Sequence, residues 1–149
     1  MKDYQFRLDF EVRDHECDLA GVVNNAVYLH YLEHARNQFV KPHGVDFAAW
    51  AKRGIYFTVI RVELDYLYPP RSGDRFFVGV NAERISPLRL GFYQDIYRVP
   101  DNKPVLQAKV VLTAINEKGR PQLPKELDEM ITKGLLSSSG EAPPAQAGE

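Results

Sequence analysis

The chain of 149 residues is 44% hydrophobic and 26% charged, with a formal net charge of −1. This size and composition are typical of one soluble globular domain with a substantial hydrophobic core. The small net charge argues against a protein that mainly binds nucleic acid, and the lone Cys17 excludes an intramolecular disulfide and a multi-cysteine zinc site.

The N-terminal segment predicts a half-buried strand. Apolar and charged side chains alternate over residues 4–14, with the two-residue period of a strand that has one face in the core. The apolar face consists of Phe6, Leu8, Phe10 and Val12. The same segment carries charges where a signal peptide would be apolar, and no apolar run is long enough to span a bilayer. A cytoplasmic protein is therefore expected.

From residue 25 the period becomes helical. Residues 25–40 predict an amphipathic helix, which Pro42 and Gly44 end. A short amphipathic piece over 45–53 follows it. The apolar face of the long helix consists of Tyr28, Leu32, Ala35 and Phe39, flanked by Leu29 and Tyr31, and the opposite face of His30, Glu33, His34, Asn37 and Lys41.

Four strand-like runs come next, at residues 55–67, 74–85, 89–99 and 104–115. Short connections join antiparallel neighbours, so these runs are expected to form a four-strand meander. A helix with one broad apolar face needs a sheet to cover it, which predicts an α+β domain: a long central helix against a curved antiparallel sheet of about five strands. This domain should span 1–133, with a short helix near 124–132, and the Ser-, Pro- and Ala-rich stretch 134–149 should be a disordered tail.

The stretch CDLAGVVNNAVYLHYLEHAR, residues 17–36, contains two candidate sites. In the first, His30 and His34 lie one helical turn apart with Glu33 beside them, a spacing that can hold a zinc ion. A catalytic zinc needs a third protein ligand, for which the remaining histidines are only His15 and His43. The solvated face of an amphipathic helix explains the same pattern, so zinc is the weaker interpretation and no metal or cofactor is expected.

The second candidate is Asp18, which lies a few residues before the helix. Gly21 lets the backbone turn sharply or approach a ligand, and Asn24 and Asn25 stand where an N-cap and a first-turn residue belong. A helix start offers unpaired N–H groups that can stabilise an oxyanion, and a nearby carboxylate can act as base or nucleophile. On spacing alone, an aspartate that merely caps a turn remains the stronger alternative.

Residues 12–39, VRDHECDLAGVVNNAVYLHYLEHARNQF, resemble the signature of hotdog-fold thioesterases of the 4-hydroxybenzoyl-CoA thioesterase type. In that family an aspartate in D-x-x-G precedes a short apolar run, a helix with a tyrosine and an E-x-A-R ending. The order of predicted elements also fits the hotdog over about residues 4–130. The resemblance implies hydrolysis of an acyl-CoA or acyl-carrier-protein thioester in fatty acid metabolism, by a homodimer or homotetramer with its site at the subunit boundary.

The resemblance also implies roles for the residues at the helix start. Asp18 falls on the catalytic aspartate, which acts as nucleophile or as base toward water, and Gly21 falls on the motif glycine. Asn25 falls on the position whose backbone N–H polarises the thioester carbonyl. Many members carry Tyr-His or an aromatic residue where this chain has Asn24 and Asn25. The backbone donor survives that departure, and Asn24 is expected to be a substrate-binding residue beside it.

Other candidate residues lie on the helix and on loops. Tyr28 occupies a recurring family position near the substrate, and Glu33 and Arg36 are expected to support the site rather than touch the substrate. Coenzyme A brings phosphates, which Arg and Lys usually bind. Loop candidates for that contact are Arg71, Arg84, Ser86 and Arg89. Aromatic candidates for an acyl pocket are Tyr56, Phe57, Tyr66, Phe92 and Tyr93, although most of these should belong to the core or an interface.

Three rival functions stay open at this point. A regulatory hotdog protein would bind acyl-CoA without hydrolysing it, and a zinc hydrolase would use His30 and His34. A hotdog dehydratase is weaker, because its catalytic histidine has no obvious counterpart here. A thiol nucleophile at Cys17 is also disfavoured, since nothing visible orients His15 beside it, and a small buried thiol is expected instead.

Overall fold

The computed structural model describes residues 2–125 of the chain. Its elements are β1 (Phe6–Glu11), α1 (Val27–Val40), α2 (Phe47–Lys52), β2 (Tyr56–Tyr66), β3 (Arg75–Ser86), β4 (Arg89–Val99) and β5 (Lys103–Ile115). The predicted α+β class, with one long helix and a five-stranded sheet, is confirmed. No helix within the described range is long and apolar enough to span a membrane. The predicted tail 134–149 and nearly all of the predicted helix 124–132 lie outside that range.

The five strands form one antiparallel sheet in the order β1-β3-β4-β5-β2. Strands β3, β4 and β5 form a meander, but β2 pairs with β5, where Leu64 lies opposite Ala108. The predicted four-strand meander is therefore wrong for β2. Strand β3 has two edges, and β1 and β4 occupy both of them, so β2 pairs at the far edge of the sheet. Residues 67–74 carry the chain across from β2 to β3.

Helix α1 packs against one face of this sheet. Its predicted apolar face is buried, as is the predicted inner face of β1, and both belong to one hydrophobic cluster. Aromatic rings dominate the contact, with the Phe6 ring stacked on Phe39 and the Tyr31 ring tilted against Phe76. Leu29, predicted on the flank of the apolar face, is 45% exposed, whereas Arg36 is buried.

A buried carboxylate fastens the loop between β1 and α1 to the helix. The Tyr31 hydroxyl donates to Glu16 Oε1 at 2.9 Å, and the backbone N–H of Arg13 donates to the same oxygen at 2.8 Å. The Glu16 carbonyl accepts from the backbone N–H of Asn24 at 2.9 Å, which ties the other end of the loop. Burial, followed by the hydrogen bond to Glu16, raises the pKa of Tyr31 above its ordinary value, so the phenol stays a donor.

We expect Tyr31→Phe to lower the free energy of unfolding by about 1–3 kcal/mol, because it takes a donor from a buried carboxylate. Tyr93→Phe is the matched control, since Tyr93 donates to Glu83 at 2.8 Å on the exposed surface, where water replaces the lost bond. The control should change the free energy of unfolding by less than about 0.5 kcal/mol. Urea denaturation followed by circular dichroism measures both values, and equal losses would contradict the anchoring role of Glu16.

Candidate active site

Asp18 begins a tight turn that its own side chain closes. Asp18 Oδ1 accepts from the backbone N–H of Ala20 at 2.8 Å and from that of Val22 at 3.5 Å. The backbone N–H of Gly21 donates to the Asp18 carbonyl at 3.0 Å, and Gly21 has a φ of 80°, in the left-handed region that glycine adopts without strain. The turn therefore holds the Asp18 carboxylate in one orientation.

Only one of the two carboxylate oxygens of Asp18 is used in this turn. Oδ1 caps the turn, which is the role that the sequence suggested as the alternative to catalysis. Oδ2 makes no hydrogen bond within residues 2–125, and the side chain is exposed. One oxygen thus fixes the carboxylate while the other is available to a water or a substrate.

The start of α1 contributes a free backbone donor. Asn24, and not the formal N-cap residue Ala26, caps this end, because its Oδ1 accepts from the N–H of Ala26 at 2.9 Å. The Asn24 carbonyl then accepts from the N–H of Val27 at 2.9 Å. Between these bonds, the N–H of Asn25 has no partner in the described part of the chain. Asn25 is held instead through its carbonyl, which accepts from the Tyr66 hydroxyl at 2.8 Å.

One cleft brings these groups together, and we call it the Asp18 cleft. It lies between the start of α1 and the end of β2, and its lining includes Asp18, Asn25, Tyr28 and Tyr66. The rings of Tyr28 and Tyr66 meet edge to face at 5.3 Å. Burial first, with smaller contributions from Tyr66 and Asp18, raises the pKa of Tyr28 to about 12. At neutral pH the cleft therefore combines a carboxylate, a free N–H and a protonated phenol.

The predicted phosphate contacts fall at two ends of the sheet. The Arg71 backbone bridges that of Val22, and its guanidinium lies beside Gly21, next to the Asp18 turn. The other three residues, Arg84, Ser86 and Arg89, lie at the hairpin between β3 and β4. Arg84 lies nine positions along β3 from Arg75, at the Asp18 end, which corresponds to about 30 Å. Within one protomer, the structure therefore brings Arg71 but not the hairpin residues to Asp18.

A second cleft contains the remaining helix candidates, and we call it the Arg36 cleft. Glu33 and Arg36 line it together with Phe57, Phe92 and other residues of α2, β2 and β5. Tyr56 lies on the same wall, whereas Tyr93 does not line this cleft. Of the aromatic candidates named from the sequence, three therefore line the Arg36 cleft and Tyr66 lines the Asp18 cleft. The sequence carried no signal that would have separated these two groups.

The two histidines of the zinc interpretation, His30 and His34, do not belong to a group of metal-binding side chains in the described residues. His30 is exposed, and the His34 ring packs edge-on against Phe10 with centroids 6.0 Å apart. Residues 2–125 contain no group of three or more His, Cys, Asp or Glu side chains arranged for a metal ion.

The Cys17 thiol differs from the buried thiol that the sequence predicts. Cys17 is only partly buried. Its backbone bridges that of Val23, and its Sγ lies 3.9 Å from the Arg13 carbonyl. His15 is exposed in a single turn of 3-10 helix, Asp14–Glu16. No hydrogen bond joins His15 to Cys17 in the described chain.

Comparison with known proteins relates this geometry to a family. The chain is 35% identical over 114 residues to the chloroplastic acyl-acyl carrier protein thioesterase ATL3 of Arabidopsis thaliana, covering 76% of this chain and 60% of that protein. It therefore spans about three fifths of the plant relative. A solved thioesterase from Thermus thermophilus, complexed with coenzyme A and Zn, has 32% sequence identity and a TM-score of 0.75, covering 90% of this chain and 96% of that one.

A further solved structure supports the fold. Slr0204, a 1,4-dihydroxy-2-naphthoyl-CoA thioesterase from Synechocystis, gives a TM-score of 0.81 at 18% identity, covering 85% of this chain and 95% of that one. The family model described as the thioesterase-like superfamily matches residues 12–135, which include the Asp18 turn, α1 and all strands but β1. The resemblance and the hotdog fold predicted from the sequence are thus confirmed, and this chain belongs to the thioesterase-like superfamily.

Proposed function

We propose that the protein hydrolyses the thioester of an acyl-CoA or an acyl carrier protein, giving a free acid and a thiol. The observation that carries this proposal is the Asp18 cleft, in which a half-free carboxylate and the unpaired N–H of Asn25 line the same space. The names of the relatives support it, since one acts on acyl-acyl carrier protein and another was solved with coenzyme A.

In the proposed reaction, the thioester carbonyl oxygen accepts a hydrogen bond from the Asn25 N–H. The positive end of the α1 dipole adds to the stabilisation of the negative charge that develops on this oxygen. Asp18 either removes a proton from a water that attacks the carbonyl carbon, or attacks it directly to form an anhydride that water then opens. In both routes the C–S bond breaks and the thiolate leaves. Thiolates are good leaving groups because the conjugate thiol has a pKa near that of cysteine, about 8.5. No strong general acid is therefore needed at sulfur.

The edge strand β2 supports a subunit boundary at this cleft. Within residues 2–125 it pairs only with β5, so its other edge has no strand partner in that part of the chain. Large apolar side chains on and just after this strand are 39–54% exposed. They are Tyr56, Val59, Ile60, Val62, Tyr66 and Leu67. Leu19, beside Asp18, is also fully exposed. We therefore propose a homodimer, able to pair into a tetramer, in which the β2 edges meet and enclose the Asp18 cleft. In such an assembly Arg84, Ser86 and Arg89 would serve a neighbouring subunit's substrate.

Asp18→Asn should lower kcat for acyl-CoA hydrolysis by about 100- to 10,000-fold, because it removes the base or nucleophile. The variant keeps an acceptor oxygen for Ala20 and Val22, so the turn should persist. Asp9→Asn, on the exposed face of β1, is the matched control and should retain full activity. Free-thiol release from short, medium, long and aromatic acyl-CoAs measures this. Full activity in Asp18→Asn would show that the proposed mechanism is wrong.

Native activity should be unchanged after treatment with a chelator, because the proposed mechanism uses only groups of the chain. The same thiol-release assay after incubation with EDTA and buffer exchange tests this. Activity that falls with EDTA and returns with added zinc would favour the zinc hydrolase through His30 and His34. Saturable acyl-CoA binding without any thiol release, from CoA or carrier-protein substrates, would favour the non-catalytic binding protein.

Joint substitution Ile60→Lys and Val62→Lys should convert the assembly to monomers and reduce activity at least about tenfold, because charges on a pairing edge oppose strand addition. Both side chains are exposed in a single protomer, so the fold itself should persist. Leu88→Lys, at the β3–β4 hairpin and 44% exposed, is the control. Light scattering gives the mass of each variant. A mass and activity equal to those of the native protein would rule out the β2 edge as the interface.

A further inference from the structure

The Arg36 cleft has apolar walls and one buried cation. Phe47, Phe57, Val59 and Leu112 contribute to its walls, while Arg36 reaches it from α1. Arg36 is only 7% exposed. Burial lowers the pKa of this guanidinium, and the nearby Glu33 charge opposes that change. A guanidinium remains charged under such conditions, so a charged group lies in a mostly apolar cleft, whose other polar lining residues are Glu33, Asn37 and Thr58.

A buried amide fixes the direction of this guanidinium. Arg36 Nη1 donates to Gln94 Oε1 at 3.1 Å, and Gln94 Nε2 donates to the Leu32 carbonyl at 2.9 Å. Gln94 is completely buried, so the surrounding core holds in place the two hydrogen bonds that link Leu32, Gln94 and Arg36. A side chain held in this way is already oriented before any ligand arrives, which lowers the entropic cost of binding.

Most of the hydrogen-bonding capacity of Arg36 is unused. A guanidinium has five N–H donors, and the bond to Gln94 is the one that Arg36 makes within residues 2–125. No carboxylate of the described residues forms an ion pair with it, although Glu33 lines the same cleft. Buried donors that face an apolar ligand stay unpaired, and this costs binding free energy. The cleft is therefore better suited to an acceptor oxygen than to a plain hydrocarbon.

Helix α1 and strand β2 contribute residues both to this cleft and to the Asp18 cleft. The start of α1 faces the end of β2 at Asp18, and the middle of α1 faces the start of β2 at Arg36. Both clefts therefore lie along one seam between these two elements. Arg36 lies eleven positions after Asn25, which corresponds to about 16 Å along a helix. Long helical side chains lean toward the N-terminus and shorten that span, so an acyl chain of medium length whose carbonyl binds at Asn25 would reach Arg36 along the seam.

On the basis of the proposed thioesterase function, we infer that Arg36 is a specificity-determining residue that hydrogen-bonds an oxygen of the acyl group. This oxygen lies several carbon atoms beyond the thioester and belongs to an uncharged hydroxyl or keto group. An uncharged oxygen is favoured over a carboxylate because the Glu33 side chain lines the same cleft and would repel a second anion. The substrate class is thus an oxygen-bearing acyl thioester of medium chain length.

The test compares acyl-CoAs of one chain length with native protein and with Arg36→Met. Decanoyl-CoA, its mid-chain and ω-hydroxy derivatives and its ω-carboxy derivative are hydrolysed side by side, and kcat and KM are determined for each. Native protein should prefer at least one hydroxy substrate over decanoyl-CoA by about 10- to 100-fold in kcat/KM, the worth of a hydrogen bond to a charged group. Arg36→Met should abolish this preference, so that kcat/KM for the hydroxy and plain chains becomes equal within about threefold.

Two further variants separate recognition from folding. Arg36→Gln can still donate to Gln94 but lacks the charge, and it should lose the preference even if Arg36→Met is unstable. Arg7→Met, on the exposed face of β1, is the matched control and should keep the preference. Circular dichroism checks that each variant is folded. Equal kcat/KM for hydroxy and plain chains in native protein, or a preference that survives in a folded Arg36 variant, would overturn the inference, as would a preference for the ω-carboxy chain.

A binding measurement keeps this inference distinct from the proposed function. If the native protein hydrolyses no acyl-CoA, calorimetry with free ω-hydroxydecanoate and decanoate replaces the kinetic assay. Tighter binding of the hydroxy acid, lost in Arg36→Gln, would support the role of Arg36 while the proposed reaction fails. Equal binding of the two acids would overturn the role of Arg36, whatever the outcome for hydrolysis.

Discussion

The hydrogen bond from Tyr31 to Glu16 fastens the Asp18 loop to the buried face of α1, and the geometry of the site depends on it. Tyr31 is fixed by its packing among aromatic rings in the core, so its hydroxyl can hold Glu16 in one position. Glu16 then holds both Arg13 and Asn24, the two ends of the loop that contains the catalytic candidate. The position of Asp18 relative to the helix start is therefore set by the core and not by the loop alone.

The two clefts between α1 and β2 differ in the residues that line them. At one end, the exposed Asp18 turn and the free N–H of Asn25 face solvent, where the polar head of a thioester and its attacking water have access. At the other end, mostly apolar walls and the buried hydrogen bond between Gln94 and Arg36 form the site that we propose contacts the far part of an acyl group.

Strand β2 combines an exposed apolar surface with a residue that supports the candidate site. Its exposed apolar side chains and open edge would be a liability in an isolated protomer, because such edges promote uncontrolled pairing. A second copy on this edge would bury them and close the seam from outside. The same strand provides Tyr66, which supports the helix start, so the proposed interface and the candidate site share one element.

The sequence by itself determined the features that depend on near neighbours in the chain. Alternation in β1, the amphipathic face of α1 and the Asp18 turn all rest on contacts within a few residues, so local patterns contain them. Only the tertiary structure decided the place of β2, since strand pairing depends on which edges other strands already occupy. It also decided which groups complete the site. Tyr66 reaches Asn25 across 41 positions, and Gln94 reaches Arg36 across 58, and no local period records such partners.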